Sequence, residues 1–460
     1  MSSAGQSATD AMVSAPSLQD GIDEAGSALR FLWRPNAPAW HPPVIADQFS
    51  GWRKEQVSWH RTVSLFDLSH HMRDLFIKGP DATRLLSEHS ANGYGKFAIG
   101  QAKQFVPVTE RGLIITDGIL LRQAEDQYVL TGAAGSQSWV MYHALKGGYD
   151  VEFEDDPASN ARKGDPVLFR YQLQGPHAPE VLERVFGAQP QLAATRFFHT
   201  AKIQWQGREL TALRHGMAGQ LGYEFFGPYK DGEAVKQAIM TAGADLGIEH
   251  VGGFAYPTTS IESGWMAAPT PAIYSDPELL EYRRWLPRYG FEAMGRPLHG
   301  SFFSPRIEDY YVSPYELGYG KVIDLDHEFT GRDALRAAKD QITRQKVTLE
   351  FDPEDAKTLL GEPDGYLLDY GHHRIEAGGK LVGLAVYAAN YEQYGTVLSL
   401  SRIDREFAAP GTEVTVVWGE HPGPDAPDAD FEKTVIRAVV QPSPYDAFAQ
   451  GKYRDNSVSA

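Results

Sequence analysis

The sequence predicts an α+β protein of several domains that ends in a small antiparallel β-barrel or sandwich, and three observations carry that reading. A strand, a Gly-Pro turn and a helix follow one another twice, in RDLFIKGPDATRLL at Gly79-Pro80 and in RYQLQGPHAPEVLERVF at Gly175-Pro176. Such a repeat points to two related α+β lobes. From Arg344 the texture changes to short alternating strands, as in QKVTLEF, GTVLSLSRI and GTEVTVVW, the pattern of a separate antiparallel unit. Finally, 460 residues exceed what one core serves and suggest roughly two to four domains.

The elements can be justified in order. MSSAGQSATDAMVSAPSLQDG is small and polar, without the basic start and apolar centre of a signal peptide, so residues 1–28 read as a disordered tail. The next stretch is rich in Trp, Pro and His; Trp52, Val57 and Trp59 fall near helical spacing before VSLFD turns strand-like. RDLFIKGPDATRLLSEHS gives a strand, a turn and a helix capped by Asp81. AKQFVPVTERGLIITDGILLRQAEDQYVLTG reads as three strands turning at Glu110-Arg111-Gly112 and Ala124-Glu125-Asp126, and SQSWVMYHALKG as a helix ended by Gly147. A second α+β stretch runs from Val167 to Gly264, with strands in AKIQWQGRELTALRHG and LGYEFFGP and a helix in DGEAVKQAIMTAGADLG. Pro269 to Asp309 is long and aromatic-rich, which suggests a functional or interdomain role.

Composition removes several function classes. A net charge of −17 argues against general nucleic-acid binding, which needs a basic face. No apolar stretch is long enough to span a bilayer. The absence of cysteine excludes disulfides, thiolate metal sites and thiol nucleophiles, and fits a cytoplasmic protein. There is no G-x-G-x-x-G after a strand, no Walker loop, no H-E-x-x-H and no G-x-S-x-G. The neighbours His70-His71 and His372-His373 would point to opposite faces of a strand, so no metal is expected.

The stretches GYEFFGP, SIESGW, SPYELGYGKVIDLDHEFTGRDAL and AAPGTEVTVVW…IRAVVQPSPYD, in that order, resemble the glycine-cleavage T-protein family from about Phe49 to Asp446. That resemblance implies a folate-dependent one-carbon transferase with a three-domain clover-leaf fold around a central folate channel. It divides the chain into a folate-binding α+β domain (29–66 with 166–275), a second α+β domain (67–165), a connection (276–343), a β-barrel domain (344–446) and a tail (447–460). FSGWRKEQVSW, LFDLSHHM, LRHGMAGQLGYEFFGP, AYPTTSIESGW and PAIYSD are most similar to the tetrahydrofolate-dependent aryl O-demethylases acting on vanillate and syringate. The stretch TSIESGW places Ser260 where the T-protein has an arginine, so glycine cleavage itself is not expected.

Aryl ether cleavage displaces a phenol, whose pKa near 10 makes its anion a poor leaving group that gains from a donated proton. The resemblance places Glu224 at the pterin with Tyr223 beside it, since a carboxylate can accept two parallel N–H donors. It places Asp117 near the reactive nitrogen; a turn aspartate before Gly118 is the plainer alternative. Tyr256 and His71 match substrate-site residues, and either could donate to the leaving oxygen, His71 with a pKa nearer neutrality. Gln104 and Val106 would line the channel wall, and Trp265 would pack or stack on the folate.

Where the vanillate enzymes carry an arginine that clamps the benzoate carboxylate, this chain has Ala133, in TGAAGS. Where they have a tyrosine near the N-terminus, it has Pro42, flanked by Trp40 and His41. A carboxylate buried without its arginine would be costly, so the expected substrate is a neutral aromatic ether. It is either a methoxyphenol or a methylenedioxy compound of the sesamin type, giving a catechol and methyl- or methylene-tetrahydrofolate. The alternatives are demethylation of a small sulfonium or methylated amine, and a folate-binding accessory protein without catalysis.

Overall fold

Period-two alternation along Leu168–Gln174 sends Phe169, Tyr171 and Leu173 to one face and Arg170, Gln172 and Gln174 to the other. In a computed structural model, which describes residues 16–455 apart from 267, 268, 296 and 362–364, both faces are buried. The apolar face, with Tyr223 and Phe225 of the next strand, packs against Val181, Leu182, Val235 and Ile239 of the helices Ala178–Phe186 and Tyr229–Gly243. The polar face is 4% exposed at Arg170 and fully covered at Gln172 and Gln174, so it looks into the molecule. This sheet has the order Ile248–Val251, Val63–Asp67, Leu168–Gln174, Gly222–Pro228, Arg208–Arg214, Thr200–Trp205, antiparallel except for its first pair.

A second, wholly antiparallel sheet runs Ala102–Phe105, Gly118–Ala124, Gln127–Gly132, Arg73–Lys78, Glu152–Asp156. The helices Ala82–Glu88 and Ala134–Gly147 cover it through Leu85, Leu86, Val140 and Ala144. The Gly-Pro repeat is structural. Gly79 and Gly175 both take φ in the left-handed half, +144° and +125°. A Cβ at either would strike the carbonyl just ahead of the neighbouring strand, Asp150 O at 2.4 Å and Thr62 O at 2.6 Å. Only glycine allows both that φ and that approach.

The C-terminal strands form an antiparallel barrel of six, closed where Lys380–Tyr391 pairs with Thr396–Asp404, with the short strand Leu368–Asp369 added at its edge. Among the described residues no helix is long and apolar enough to cross a membrane.

Several expectations are corrected. Part of the expected tail over 1–28 is built in: Leu18–Ala25 is a helix whose Ser17 and Asp20 form a capping box, and Leu18, Ile22, Leu29 and Leu32 join the central core. Residues 1–15 and 456–460 lie outside the described residues. At the other end, Ala449 and Tyr453 are buried and Arg214 donates to Asp455 O, so 447–455 is docked. The connection 276–343 carries the helices Leu280–Trp285, Phe291–Met294 and Arg332–Ala338, and its Tyr282 and Tyr310 are fully buried in the central core. Aromatic residues there supply packing where a bare linker would not. Asp81 stands at the N-cap position but does not cap; its carboxylate takes the Asp150 N–H and Arg84. The helix expected to stop at Gly147 does so, with Gly148 as its C-cap in the left-handed region at φ 63°.

Candidate active site

The inward polar face of the first sheet carries Glu224, opposite Gln172 in register. Alternation that aims Tyr223 and Phe225 at the helices necessarily aims Glu224 inward. Glu224 is thus no strand-end surface residue: it is 3% exposed and accepts from Arg170 Nη1. Arg170 Nη2 in turn donates to both oxygens of Asp74, at 3.0 and 2.9 Å. Asp74 belongs to the second sheet, so one buried guanidinium ties the two sheets together. Two carboxylates around one cation leave the group with net negative charge facing the interior.

His71 and Tyr256 meet across this interior, with His71 Nε2 2.6 Å from the Tyr256 hydroxyl and ring centroids 4.7 Å apart. Trp40 leans on both rings, at 5.6 and 6.4 Å. Burial, with help from His70 and Arg170, pushes His71 down to about 3, so it is neutral at pH 7. That corrects the expectation of a histidine acid titrating near neutrality. Burial first, then the Glu224 charge, pushes the Tyr256 phenol up, so it keeps its proton. Nδ1 of His71 is buried without a partner, and an unfilled lone pair there costs less than an orphaned N–H. The favoured tautomer carries its hydrogen on Nε2 and donates to the tyrosine oxygen, which frees the Tyr256 O–H to donate elsewhere.

Asp117 lies just ahead of Gly118–Ala124, at the start of a strand and not in a hairpin turn. Its Oδ2 accepts from Trp265 Nε1 at 2.8 Å, from Gln104 Nε2 and from the Tyr319 hydroxyl. Its Oδ1 is buried with no partner, and burial raises the carboxyl above its usual range. Lys346, from the barrel strand Arg344–Phe351, donates to Gly264 O and lies within the Asp117 field; burial pushes it down to about 8. Edge-on contact of Tyr370 with Tyr387 at 4.9 Å lies between the two clusters: Tyr256 feels Tyr370, and Tyr319 feels Tyr387.

The TGAAGS junction joins these parts. Gly132 pairs with Gly118 on one side and Arg73 on the other, and Ala133 is the uncharged N-cap of Ala134–Gly147. Arg73 is already engaged, by Asp155 at 2.7 and 2.8 Å and by Ser138 Oγ at 3.2 Å.

Three expected site residues are placed elsewhere. Tyr223 faces the helices, its hydroxyl on Leu192 O at 2.6 Å, because it is one residue out of phase with Glu224. Val106 is fully buried in the central apolar core. His41 turns to Phe254 and Asp47, leaving Trp40 as the residue of that segment on the Tyr256 pair. Trp265, expected to pack, is 45% exposed and holds Asp117 by its indole N–H. Sequence reasoning missed Arg170, Asp74, Tyr319 and Lys346. The alternation of LFRYQLQ, with an arginine on the non-apolar phase, was the available signal for the first.

Comparison with known proteins follows the same lines. The family description "GCVT N-terminal domain" matches residues 22–270. A syringate O-demethylase from Sphingobium sp. (strain NBRC 103272 / SYK-6) is 37% identical over 96% of this chain and 98% of that protein. A sesamin methylene transferase from Sinomonas sp. (strain No.22) is 30% identical over 78% of this chain and 82% of that protein. Among solved structures, the glycine cleavage system aminomethyltransferase T from Bartonella henselae superposes with a TM-score of 0.58 at 18% identity, covering 91% of this chain and 95% of that one.

Proposed function

Because this chain belongs to the glycine-cleavage T-protein (aminomethyltransferase) family and is a tetrahydrofolate-dependent one-carbon transferase, we propose that it cleaves an aryl ether of a neutral aromatic substrate. The observation that carries the reading is the Tyr256–His71 pair at 2.6 Å on an aromatic-lined interior.

The site fits the cofactor. Asp117 Oδ1 is buried and unpartnered, an acceptor position for a ligand N–H. Glu224 gives Oε1 to Arg170, and its other oxygen accepts no hydrogen bond from the described residues. When bound, tetrahydrofolate supplies the nitrogen that accepts the carbon. Tyr256 keeps its proton and donates a hydrogen bond to the ether oxygen as the carbon–oxygen bond breaks, stabilising the departing phenolate, whose charge is balanced by the proton that the accepting nitrogen sheds. His71 fixes the hydroxyl rotor, and the buried setting strengthens that donated hydrogen bond. Asp117 is held in place from three sides by Trp265, Gln104 and Tyr319.

The preference for a neutral substrate rests on Ala133 and on Arg73, whose guanidinium is committed to Asp155 and Ser138. A benzoate carboxylate at this junction would lack a free cation, and an unpaired buried charge costs several kcal/mol. Both a methoxyphenol and a methylenedioxy lignan fit that description.

The test is anaerobic incubation with tetrahydrofolate and guaiacol, sesamin, vanillate or syringate, with products resolved by mass detection. A catechol from guaiacol or sesamin, and none from the two carboxylates, is expected, and the folate product distinguishes methyl from methylene transfer. Equal turnover of vanillate or syringate overturns the neutral-substrate reading; turnover of none of the four overturns aryl ether cleavage.

A further inference from the structure

We propose that His299, Asp369, His373 and Glu420 form a site for a divalent transition-metal ion of the zinc type, which fastens the segment around Gly300 to the rim of the barrel. Asp369 ends the strand Leu368–Asp369, His373 begins His373–Ala377, and Glu420 follows Glu413–Gly419. His299 comes from the aromatic-rich segment after Phe291–Met294.

The geometry is that of a ligand set. His299 Nδ1 lies 3.1 Å from Glu420 Oε1, and His373 Nε2 lies 3.0 Å from Asp369 Oδ1. The ligating atoms of His299, Asp369 and Glu420 all fall within 4.8 Å of one another. Metal–ligand bonds of about 2.0–2.1 Å in a tetrahedron put neighbouring ligand atoms about 3.3 Å apart; these three stand near that spacing, and His373, beside Asp369, completes the shell by turning its ring toward them.

An independent observation marks the same space. A Cβ built on Gly371 would stand 2.9 Å from Asp369 Oδ1, 2.9 Å from His373 Nε2 and 3.0 Å from His299 Nδ1. Three ligand atoms therefore converge on one small volume beside this Cα. Gly371 does not have the left-handed φ that would call for glycine, so what glycine supplies there is room.

Charge and chemistry agree. Two neutral imidazoles and two carboxylates balance a dication, and imidazole with carboxylate suits zinc where calcium or magnesium would want oxygen alone. Glu420 is also oriented from behind, through the oxygen turned away from His299. Glu420 Oε2 accepts the Asn36 and Gly300 N–H groups at 3.1 Å each, and Asp369 Oδ1 accepts the Gly371 N–H at 2.7 Å. The His373 ring stacks on Trp418 at 3.9 Å. The two histidines are 1% and 3% exposed and the carboxylates 17% and 23%, which gives an ion its way in.

This departs from the expectation of no metal, which rested on the absence of cysteine and of H-E-x-x-H and on the neighbouring histidines. His372 does point away, against Tyr310, while His373 turns to Asp369. Among the described residues the other histidine–carboxylate group, His60 with Glu262 and Asp446, has one imidazole, and its glutamate already serves Trp59 and Tyr394. It is the natural control.

The experiment strips the full-length chain with a chelator, titrates it with zinc chloride and counts bound metal by mass spectrometry after gel filtration. One zinc per chain is expected, with affinity lower by about tenfold or more in Gly371→Ala and His373→Gln and unchanged in His60→Gln. Cobalt in place of zinc should give the strong visible absorption of a tetrahedral site, and Gly371→Ala should lose it. Should Gly371→Ala not fold by circular dichroism, Glu420→Gln decides on the same readouts. No bound zinc in the wild type, undiminished affinity in the deciding variants, or loss of the ion in His60→Gln overturns the proposal.

Discussion

Tyr256 shows how far one hydroxyl can be committed by its surroundings. Burial and the Glu224 charge keep its proton on, and His71 fixes its direction. Tyr256→Phe is expected to lower turnover by about 10²–10⁴ while tetrahydrofolate affinity, measured by calorimetry, stays within about twofold; near-normal turnover removes the role. Ala133→Arg should bring in vanillate as a substrate, because a bidentate guanidinium would then face the carboxylate. No gain on vanillate would mean the junction does not meet the substrate. Asp117, Glu224, His71 and Tyr256 could be put forward as candidates from the sequence because each stands in a short recognisable stretch. Arg170, Asp74, Tyr319 and Lys346 could not, since what makes them matter is a partner distant in the chain. Tyr223 went wrong for a smaller reason: one step along a strand reverses the face.

At the scale of elements, the two strand–Gly-Pro–helix units were readable because glycine and proline mark a turn chemically. Their geometry explains the glycine. Gly175→Ala places a Cβ 2.6 Å from Thr62 O at a φ of +125° and should cost on the order of 1–3 kcal/mol. Gly148→Ala, at φ +63° and ψ +39° with nothing within 4 Å, carries the backbone strain without the collision and should cost about 1 kcal/mol. Equal midpoints in denaturant for the two variants would show that the close approach is not what selects glycine. The N-terminal helix escaped the sequence reading although Ser17 and Asp20 form its capping box. Small polar residues around it gave the composition of a tail, and the core that receives Leu18 and Ile22 is assembled from distant segments.

At the scale of the whole molecule, acid is the expected weakness. Burial holds His71 and His143 at about 3 and His89 and His250 at about 4, all below the ordinary 6.5. The unfolded chain therefore takes up these protons first. Their stability contribution is complete above about pH 6.5 and drains away as pH falls toward the folded values, by on the order of 1 kcal/mol per group per pH unit at most. His60, where Glu262 and Asp446 outweigh burial, works in the opposite direction and offsets only a part. Thermal midpoints should fall steadily from pH 7 to pH 5; a flat profile would mean these rings are not held neutral. The interior also offers an optical handle. Trp40 and Trp265 are 40% and 45% exposed, whereas Trp33, Trp52, Trp59, Trp139 and Trp205 are buried. Indole emission that a soluble quencher can reach thus comes first from the two ends of the candidate site, with a lesser share from the half-buried Trp285 and Trp418, and a ligand that fills the site should shield the former without any label being added.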